Sequence, residues 1–460
     1  MATATLSTYD EVLKTFYLPA IQNQLNHDTI LSDLIDVNEE DVSGKDAKIE
    51  MHYGKTFGIG ARNDNEALPA AYYQKHKQAT VPMQYNYGRI QISGPTIAAT
   101  RDERGAYAKV LDTEIKGVVR DLKSDVNRQL WGAGCGLIAR WDSGDTTAIV
   151  LQKQYRGNSN GVDCFGSTFG GKYIEPVPTS GGDPITPVVA TISSDAVGTY
   201  VVDATDLAPT AIVRTVATYD TMTCTDADVV EAVGTFYVRF NNAVANLGAD
   251  SLDAGLNRKE MMGLRGIVTD TDIDNVSFDN GTYTGLTVQD PLQGLLVGTY
   301  DWFKAIVDAH ASGRYAGQRA LTFNLMDTMF DNVEENAGKD YGPDLILTTR
   351  AIRREYTDLC RTDRRFVNTM TLDGGWKAID YNGIPFTVDN DAIDGEIYFL
   401  STRDFNIYRM SDYDWMDKDG AVLSRVSGYD AYEATLFRYA ELGCKRRNTH
   451  GVLCDLSYTL

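Results

Sequence analysis

Hydrophobic and polar positions change period several times along this chain. Over residues 46–53, DAKIEMHY, they alternate strictly: Ala47, Ile49, Met51 and Tyr53 face one way, Lys48, Glu50 and His52 the other, as in a half-buried strand. Residues 83–93 alternate too, but the phase changes. Met83, Tyr85 and Tyr87 share one parity, Ile90 and Ile92 the other, and Gly88 stands at the change, where a bulge would sit. Residues 54–82 between them are polar and Gly-rich. The pattern predicts a two-stranded ribbon over 46–93 with an open tip. Such a ribbon is marginal alone in water. It needs a surface to lie on, and a neighbouring subunit is one candidate.

The period then becomes helical. Tyr107, Leu111, Ile115, Val118, Leu122, Val126 and Leu130 recur at three or four, a single narrow apolar stripe. Asp112 and Lys116 form a favourable i,i+4 pair, and Gly132 and Gly134 mark the end. A helix of this length spans roughly 40–45 Å. With one stripe it packs on one layer, as a strut across a thin molecule.

From about 140 to 245 short β-prone runs (TYVVDA, TAIVRTV, GTFYVRF) recur between proline and glycine turns, and Arg214 is the one basic residue between Lys172 and Arg239. This reads as an all-β insertion. From 299 the pattern is α/β. Trp302, Phe303, Ile306 and Val307 predict one helix face, ended by Gly313. Leu325, Met326, Met329, Phe330 and Val333 predict another, ended by Gly338. DLILTT (344–349) is a buried strand, Thr349 a cap for a helix carrying Ile352, Tyr356 and Leu359, and Asn382-Gly383 the turn of a hairpin. Residues 396–410 are one or two strands, and more strand closes the chain. Ahead of the ribbon, Thr8 and Glu11 fit a capping box before Val12, Leu13, Phe16 and Tyr17, so residues 1–35 read as an arm with short helices.

Composition narrows the function. The chain has 460 residues, 43% of them hydrophobic, enough for sizeable cores. Its net charge of -21 argues against a nucleic-acid binder, which needs a basic face. No run approaches a membrane span, and residues 1–10 carry no secretory pattern. The six cysteines form no C-x-x-C and read as free thiols.

No catalytic or metal motif stands up. Gly157-Asn158-Ser159-Asn160-Gly161 lacks the helix a nucleophile elbow needs, and Gly54-Lys55-Thr56 lacks the first glycine of a phosphate loop. Asp270, Asp272 and Asp274 begin like a calcium loop, but Asn275 and Gly281 stand where Gly and Glu are required. The five histidines show no ligand spacing, and His310 closes the predicted helix face. Lys445-Arg446-Arg447 reads as a salt-bridged or solvated strand end. The chain is read as no enzyme and as carrying no cofactor. Residue pattern alone points to self-assembly.

The order of these parts resembles the major capsid protein of tailed bacteriophages with the Hong Kong 97-type fold. The resemblance rests on the arm with YDEVLKTFYLPAI, the ribbon framed by KIEMHY and MQYNYGRIQIS, the long helix, NRKEMMGLRGIV, the helix ending NVEENAG, DLILTT, AIRREYTDLC, DYNGIPFTVD and FRYAELGCKRRNTHGVLCDL. It covers about three quarters of the chain and is one of pattern and order. It implies an α+β fold with an N-terminal arm (1–35), an extended β-ribbon loop (36–95), a peripheral-domain spine helix (96–139), a β-rich insertion (140–250), an axial α/β domain (251–395) and return strands (396–460). It implies a subunit of an icosahedral head around double-stranded DNA, assembled in the host cytoplasm and located in the virion. Its partners are then itself as hexamers and pentamers, a portal, a separate scaffolding protein and a decoration protein, with the DNA enclosed non-specifically and no membrane. Contact candidates are Tyr9, Leu13 and Phe16 in the arm and Lys48, Arg62, Glu66, Lys75, Tyr85 and Arg89 in the ribbon. The rivals are an encapsulin-like cargo shell of the same fold and a β-rich phage surface or tail binding protein.

Overall fold

A computed structural model describes residues 30–95, 104–134, 137–145, 148–152, 174–178, 209–213, 219–224, 236–240, 260–271, 273–274, 289–290, 292–310, 319–338, 341–362, 369–371, 377–389, 391–393, 395–417 and 422–458. The predicted arm helix before residue 30, including Tyr9, Leu13 and Phe16, lies outside them. So do the rejected motif at 157–161 and, of the calcium-like pattern, Asp272 and residues 275–281.

After a short helix α1 (Ile30–Leu34) come β1 (Asp36–Asn38), β2 (Val42–Ser43), β3 (Asp46–Gly54), β4 (Lys75–Pro82) and β5 (Gln84–Ser93). The alternation of DAKIEMHY holds through His52: Ala47, Ile49 and Met51 are buried, Lys48, Glu50 and His52 exposed, but Tyr53, expected inward, is exposed where the pairing shifts. Its partner is not the one expected. β3 pairs antiparallel with β4, Ala47 opposite Val81 and His52 opposite His76, while β5 leaves the ribbon and pairs with the C-terminal strand 431–444. Pro82 ends β4, and the inward residues Ala79 and Val81 give β4 the two-residue period of a half-buried strand. The buried face of the ribbon packs into the main core of its own chain. Only residues 55–74 project beyond paired strand.

Gly88 is no bulge. The pairing of β5 with 431–440 runs unshifted from Ser93 opposite Ala431 to Gln84 opposite Ala440. Asn86, Ile90 and Ile92 point inward, and Tyr85 and Tyr87 outward with Arg89. The apparent change of phase is a polar residue facing in and two tyrosines facing out. Glycine is needed at 88 because a Cβ there would stand 2.8 Å from Val118 Cγ1 of the overlying helix.

That helix, α2 (Arg104–Trp131), has 28 residues and a length of about 42 Å. Ile115, Val119, Leu122, Val126 and Leu130 are buried and Val118 packs beside them. The side chains of Tyr107 and Leu111 lie outside the described residues. The one-layer expectation holds only for the middle of the helix. Lys123, Asn127, Arg128 and Gln129 are also buried, so burial near the C-terminal end extends beyond the apolar stripe.

β6 (Leu137–Asp145), β7 (Ala148–Gln152), β8 (Ile174–Pro178), β9 (Pro209–Val213), β10 (Tyr219–Cys224) and β11 (Phe236–Phe240) form an antiparallel sheet in the order β8-β11-β6-β7-β10-β9. They fall in the segment whose composition is β-prone.

The rest of the chain is α3 (Leu264–Ile267), β12 (Ile273–Asp274), β13 (Gln289–Asp290), β14 (Ile306–Asp308), α4 (Phe323–Ala337), β15 (Leu345–Thr348), α5 (Arg350–Thr362), β16 (Thr369–Thr371), β17 (Lys377–Tyr381), β18 (Ile384–Val388), β19 (Ile397–Leu400), β20 (Phe405–Trp415), β21 (Ser424–Arg425), β22 (Ala431–Cys444) and β23 (Gly451–Leu453). Among the described residues, one mixed sheet has the order β14-β23-β19-β15-β18-β17-β16, with Met326, Met329 and Val333 of α4 and Ile352 and Tyr356 of α5 in the core against it. A second sheet has the order β1-β20-β22-β21, with β5 also on β22 and α2 packed over β5. Residues 396–410, left open as one strand or two, are two: β19 and β20 enter different sheets.

Asn382 and Gly383 take φ 50° and 83°, the geometry of a two-residue hairpin turn. Gly338 ends α4 at φ 87°. The Thr349 hydroxyl makes no hydrogen bond among the described residues, so the predicted cap is absent. The predicted helix at 302–307 is a pair of turns and β14, since Ile306 and Val307 pair in parallel with Gly451 and Val452. A short apolar run suits strand or helix, and here the neighbouring strand decides. His310 therefore follows a strand, its backbone N–H donating to the Asp455 carboxylate at 3.0 Å.

Of the basic run, Arg446 pairs with Asp404 at 3.9 Å, as the sequence reading expects, whereas Arg447 is not solvated. It is 1% exposed and donates to the carbonyls of Ile267 (2.6 Å), Phe303 (3.2 Å), Gly266 (3.3 Å) and Thr271 (3.1 Å). Arg446 lies over the Tyr341 ring at 3.8 Å. Cys360, Cys444 and Cys454 are buried free thiols.

Candidate assembly surface

A subunit that assembles must hold its own core shut while leaving other surfaces uncovered. The C-terminal end of α2 shows the first requirement. Arg128 pairs with Asp125 at 3.1 Å and with Glu260 at 2.5 Å. Gln129 donates to Asn86 of β5 at 3.0 Å and to Asp125 at 2.9 Å, and accepts from the Met261 N–H at 3.0 Å. Gly263 sits so close to α2 that a Cβ would fall 2.4 Å from the Gln129 carbonyl oxygen. These contacts join the helix, β5 and the 260–268 segment, and satisfy polar groups that burial would otherwise penalise.

The ribbon base is seated on the same body. Tyr53 stacks on Trp302 with centroids 4.8 Å apart, and the Lys77 ammonium lies 5.0 Å from the Tyr300 ring. That ring raises the Lys77 pKa through the side-chain contact. Beside the ribbon a cleft of about 870 Å³ is lined by Lys48, His52, Trp302, Tyr408, Lys445 and Arg446 among others.

Beyond the base the tip folds on its own polar groups. The Thr56 hydroxyl donates to the Tyr72 carbonyl at 2.9 Å. Arg62 Nε donates to the Ala67 carbonyl at 2.9 Å, and Glu66 accepts from the Asn63 N–H at 2.9 Å. Phe57 and Tyr72 meet edge to face at 5.6 Å, and Tyr72 and Tyr73 stack at 5.3 Å. The tip is ordered by hydrogen bonds yet shows solvent its apolar side chains: Phe57 is 73% exposed, Ile59 80%, Leu68 85% and Tyr73 71%. Exposed apolar side chains grouped this way make the tip a candidate interaction surface.

A second uncovered patch lies on the sheet face opposite α2. Tyr85 stands across from Tyr439, their rings edge to face at 5.0 Å, with Tyr87 6.0 Å from Tyr439 and Phe437 at 4.9 Å. The Tyr87 hydroxyl donates to Tyr439 at 3.4 Å. That bond, with partial burial, pushes the Tyr87 phenol up to about 12. Met410 is exposed in the neighbouring strand, and Arg89 pairs with Glu433 at the rim.

The sequence-derived candidates therefore divide. Lys48 is exposed on the outer face of β3, and Lys75 is half-buried at the start of β4. Arg62 and Glu66 are at the tip, bonded within it. Tyr85 and Arg89 are not in the ribbon but in the β20–β22 sheet. The structure does not bring these two groups together within one chain. Phe57, Ile59, Leu68 and Tyr73 were missed. Their signal was a cluster of large apolar residues in a Gly-rich loop with no strand period, which no core could absorb.

The fold has known counterparts. The cyanophage A-1(L) capsid subunit superposes with a TM-score of 0.50 at 13% identity, over 94% of this chain and 93% of that one. The capsid of a native GTA particle gives 0.40 at 9% identity, over 93% and 90%. The SrpI encapsulin of Synechococcus elongatus PCC 7942 gives 0.26 at 12% identity, over 34% and 55%. No family model matches the sequence, and no curated protein matches it. The chain thus has a phage-capsid-like fold of mixed α and β content.

Proposed function

We propose that this chain is a structural subunit that self-assembles into the icosahedral head of a tailed double-stranded DNA phage, and that it is not an enzyme. The observation that carries the reading is a capsid-subunit fold over nearly the whole chain. The ribbon tip supports it: four large apolar residues on a loop held in shape by its own hydrogen bonds, exposed among the described residues. In this reading α2 is the spine helix, the β14–β23 sheet with α4 and α5 the axial domain, the β20–β22 sheet the peripheral domain, and 140–250 an insertion. The tip and the Tyr85–Tyr87–Tyr439 patch are contact surfaces between copies, with Lys48, Arg62, Glu66, Lys75 and Arg89 at their edges and Tyr9, Leu13 and Phe16 contributed by the arm. Heterologous contacts that close on themselves give rings of five and six. The net charge of -21 limits adhesion to packaged DNA. Portal, scaffolding and decoration proteins are the expected partners, and the virion the expected location.

The test is negative-stain microscopy of purified protein, with sedimentation on the same sample. Closed shells, or rings of five and six, are expected. A uniform monomer or trimer that no scaffold converts to shells would overturn the reading.

A further inference from the structure

Two of the chain's five histidines meet on the ribbon. His52 of β3 stands directly opposite His76 of β4, so both side chains leave the same face. That is the exposed face, shared with Lys48 and Glu50. The ring centroids are 4.9 Å apart and the planes 40° from parallel. One residue further out the pairing shifts, between His52 and Gly54, and the strands end. Everything beyond is tip.

We infer that His52 and His76 form a binding site for a divalent transition cation of the Zn²⁺ type, clipping the two strands together where the ribbon opens into its tip. The spacing fits. A Zn–N bond of about 2.0–2.1 Å puts each ring centroid about 3.2 Å from the metal, so two imidazoles on one ion have centroids about 4.5 Å apart at a right angle and about 5.2 Å apart at the tetrahedral angle. The observed 4.9 Å lies between.

A second feature of metal-binding histidines is present. The His52 Nε2 atom lies 2.8 Å from Gln74 Oε1. In the Nε2–H tautomer this contact is a hydrogen bond donated to Gln74, and that tautomer leaves the Nδ1 lone pair for a ligand. Imidazole nitrogen suits Zn²⁺, Ni²⁺ and Cu²⁺ and discriminates against Mg²⁺ and Ca²⁺. Two protein ligands leave the remaining positions to water. The site lies within one chain and does not depend on shell formation.

The experiment is isothermal titration of the full-length soluble subunit, made without a histidine tag, with ZnCl₂ and separately NiCl₂ at pH 7.5. The same titrations are run on His52→Gln and His76→Gln. Both side chains are exposed, so the variants keep the fold, which circular dichroism checks. One saturable site per chain is expected, weakened at least tenfold by either substitution. In the unmodified chain Zn²⁺ should also slow proteolytic cleavage within 55–74, and in the variants it should not. Absence of saturable binding overturns the proposal. So does binding that both variants retain, which would place the metal on the cysteines or other histidines.

Discussion

His450 gives the sharpest pH prediction. Its ring is fully buried and stacked on Phe405 at 4.1 Å between centroids, and its Nδ1 accepts the Ser401 backbone N–H at 3.2 Å. Burial, helped by the nearby Arg447 charge, lowers its pKa to about 3 from 6.5. The folded protein therefore holds this ring neutral while the unfolded chain protonates it below about 6.5. Between those two values the unfolded state binds more protons, so stability falls as pH falls. With these two pKa values, acidification from 6.5 to 4.5 removes about 2.3 kcal/mol through this residue, and about 4 kcal/mol by pH 3, where the folded ring is itself half protonated. His450→Gln keeps an acceptor for Ser401 and cannot titrate. Urea unfolding of the two soluble proteins should be measured at pH 7.5, 5.5 and 4.5. The variant is less stable at pH 7.5, by about 1–3 kcal/mol for a poorer fit around a buried hydrogen bond. Its deficit should shrink by about 2–3 kcal/mol at pH 4.5. Asp344 and Asp389, whose pKa values burial raises, act in the opposite direction but equally in both proteins, so they cancel in the difference. A deficit that stays constant with pH would refute the reasoning.

Gly88→Ala, which pushes a Cβ onto Val118, should cost about 1–3 kcal/mol in thermal or urea unfolding, and adding Val118→Ala should restore part of it. Arg447→Met leaves four carbonyls without their shared donor and should destabilise by at least about 3 kcal/mol, seen as loss of soluble subunit or a lower urea midpoint. Ile59→Ser, Leu68→Ser and Tyr73→Ser together should leave the melting of the subunit nearly unchanged, since exposed substitutions move stability by about 0.5 kcal/mol or less each, yet abolish shells in the microscope. Normal shells from that triple variant would remove the tip from the assembly surface.

Sequence by itself determined the features that depend on neighbours in the chain. The alternation of DAKIEMH, the long helix, the Asn382-Gly383 turn and the end of α4 at Gly338 follow from local period and φ preference, and each is where the pattern puts it. Tertiary structure decided which strand meets which. Residues 83–93 alternate as a strand whichever partner they take. Hydrogen bonding to β22 and the overlying α2 made them part of the body, and left Lys75–Pro82 to close the ribbon. The same distance from sequence applies to Arg447, basic by composition and buried by its four carbonyls, and to Trp302–Val307, helical by spacing and drawn into turn and strand by pairing with 451–453. The proposed contact surface was half legible. Its polar members stood out by charge, while its apolar members are recognisable only once the fold shows which hydrophobic side chains the core leaves uncovered, because burial is a property of the assembled chain and not of any segment.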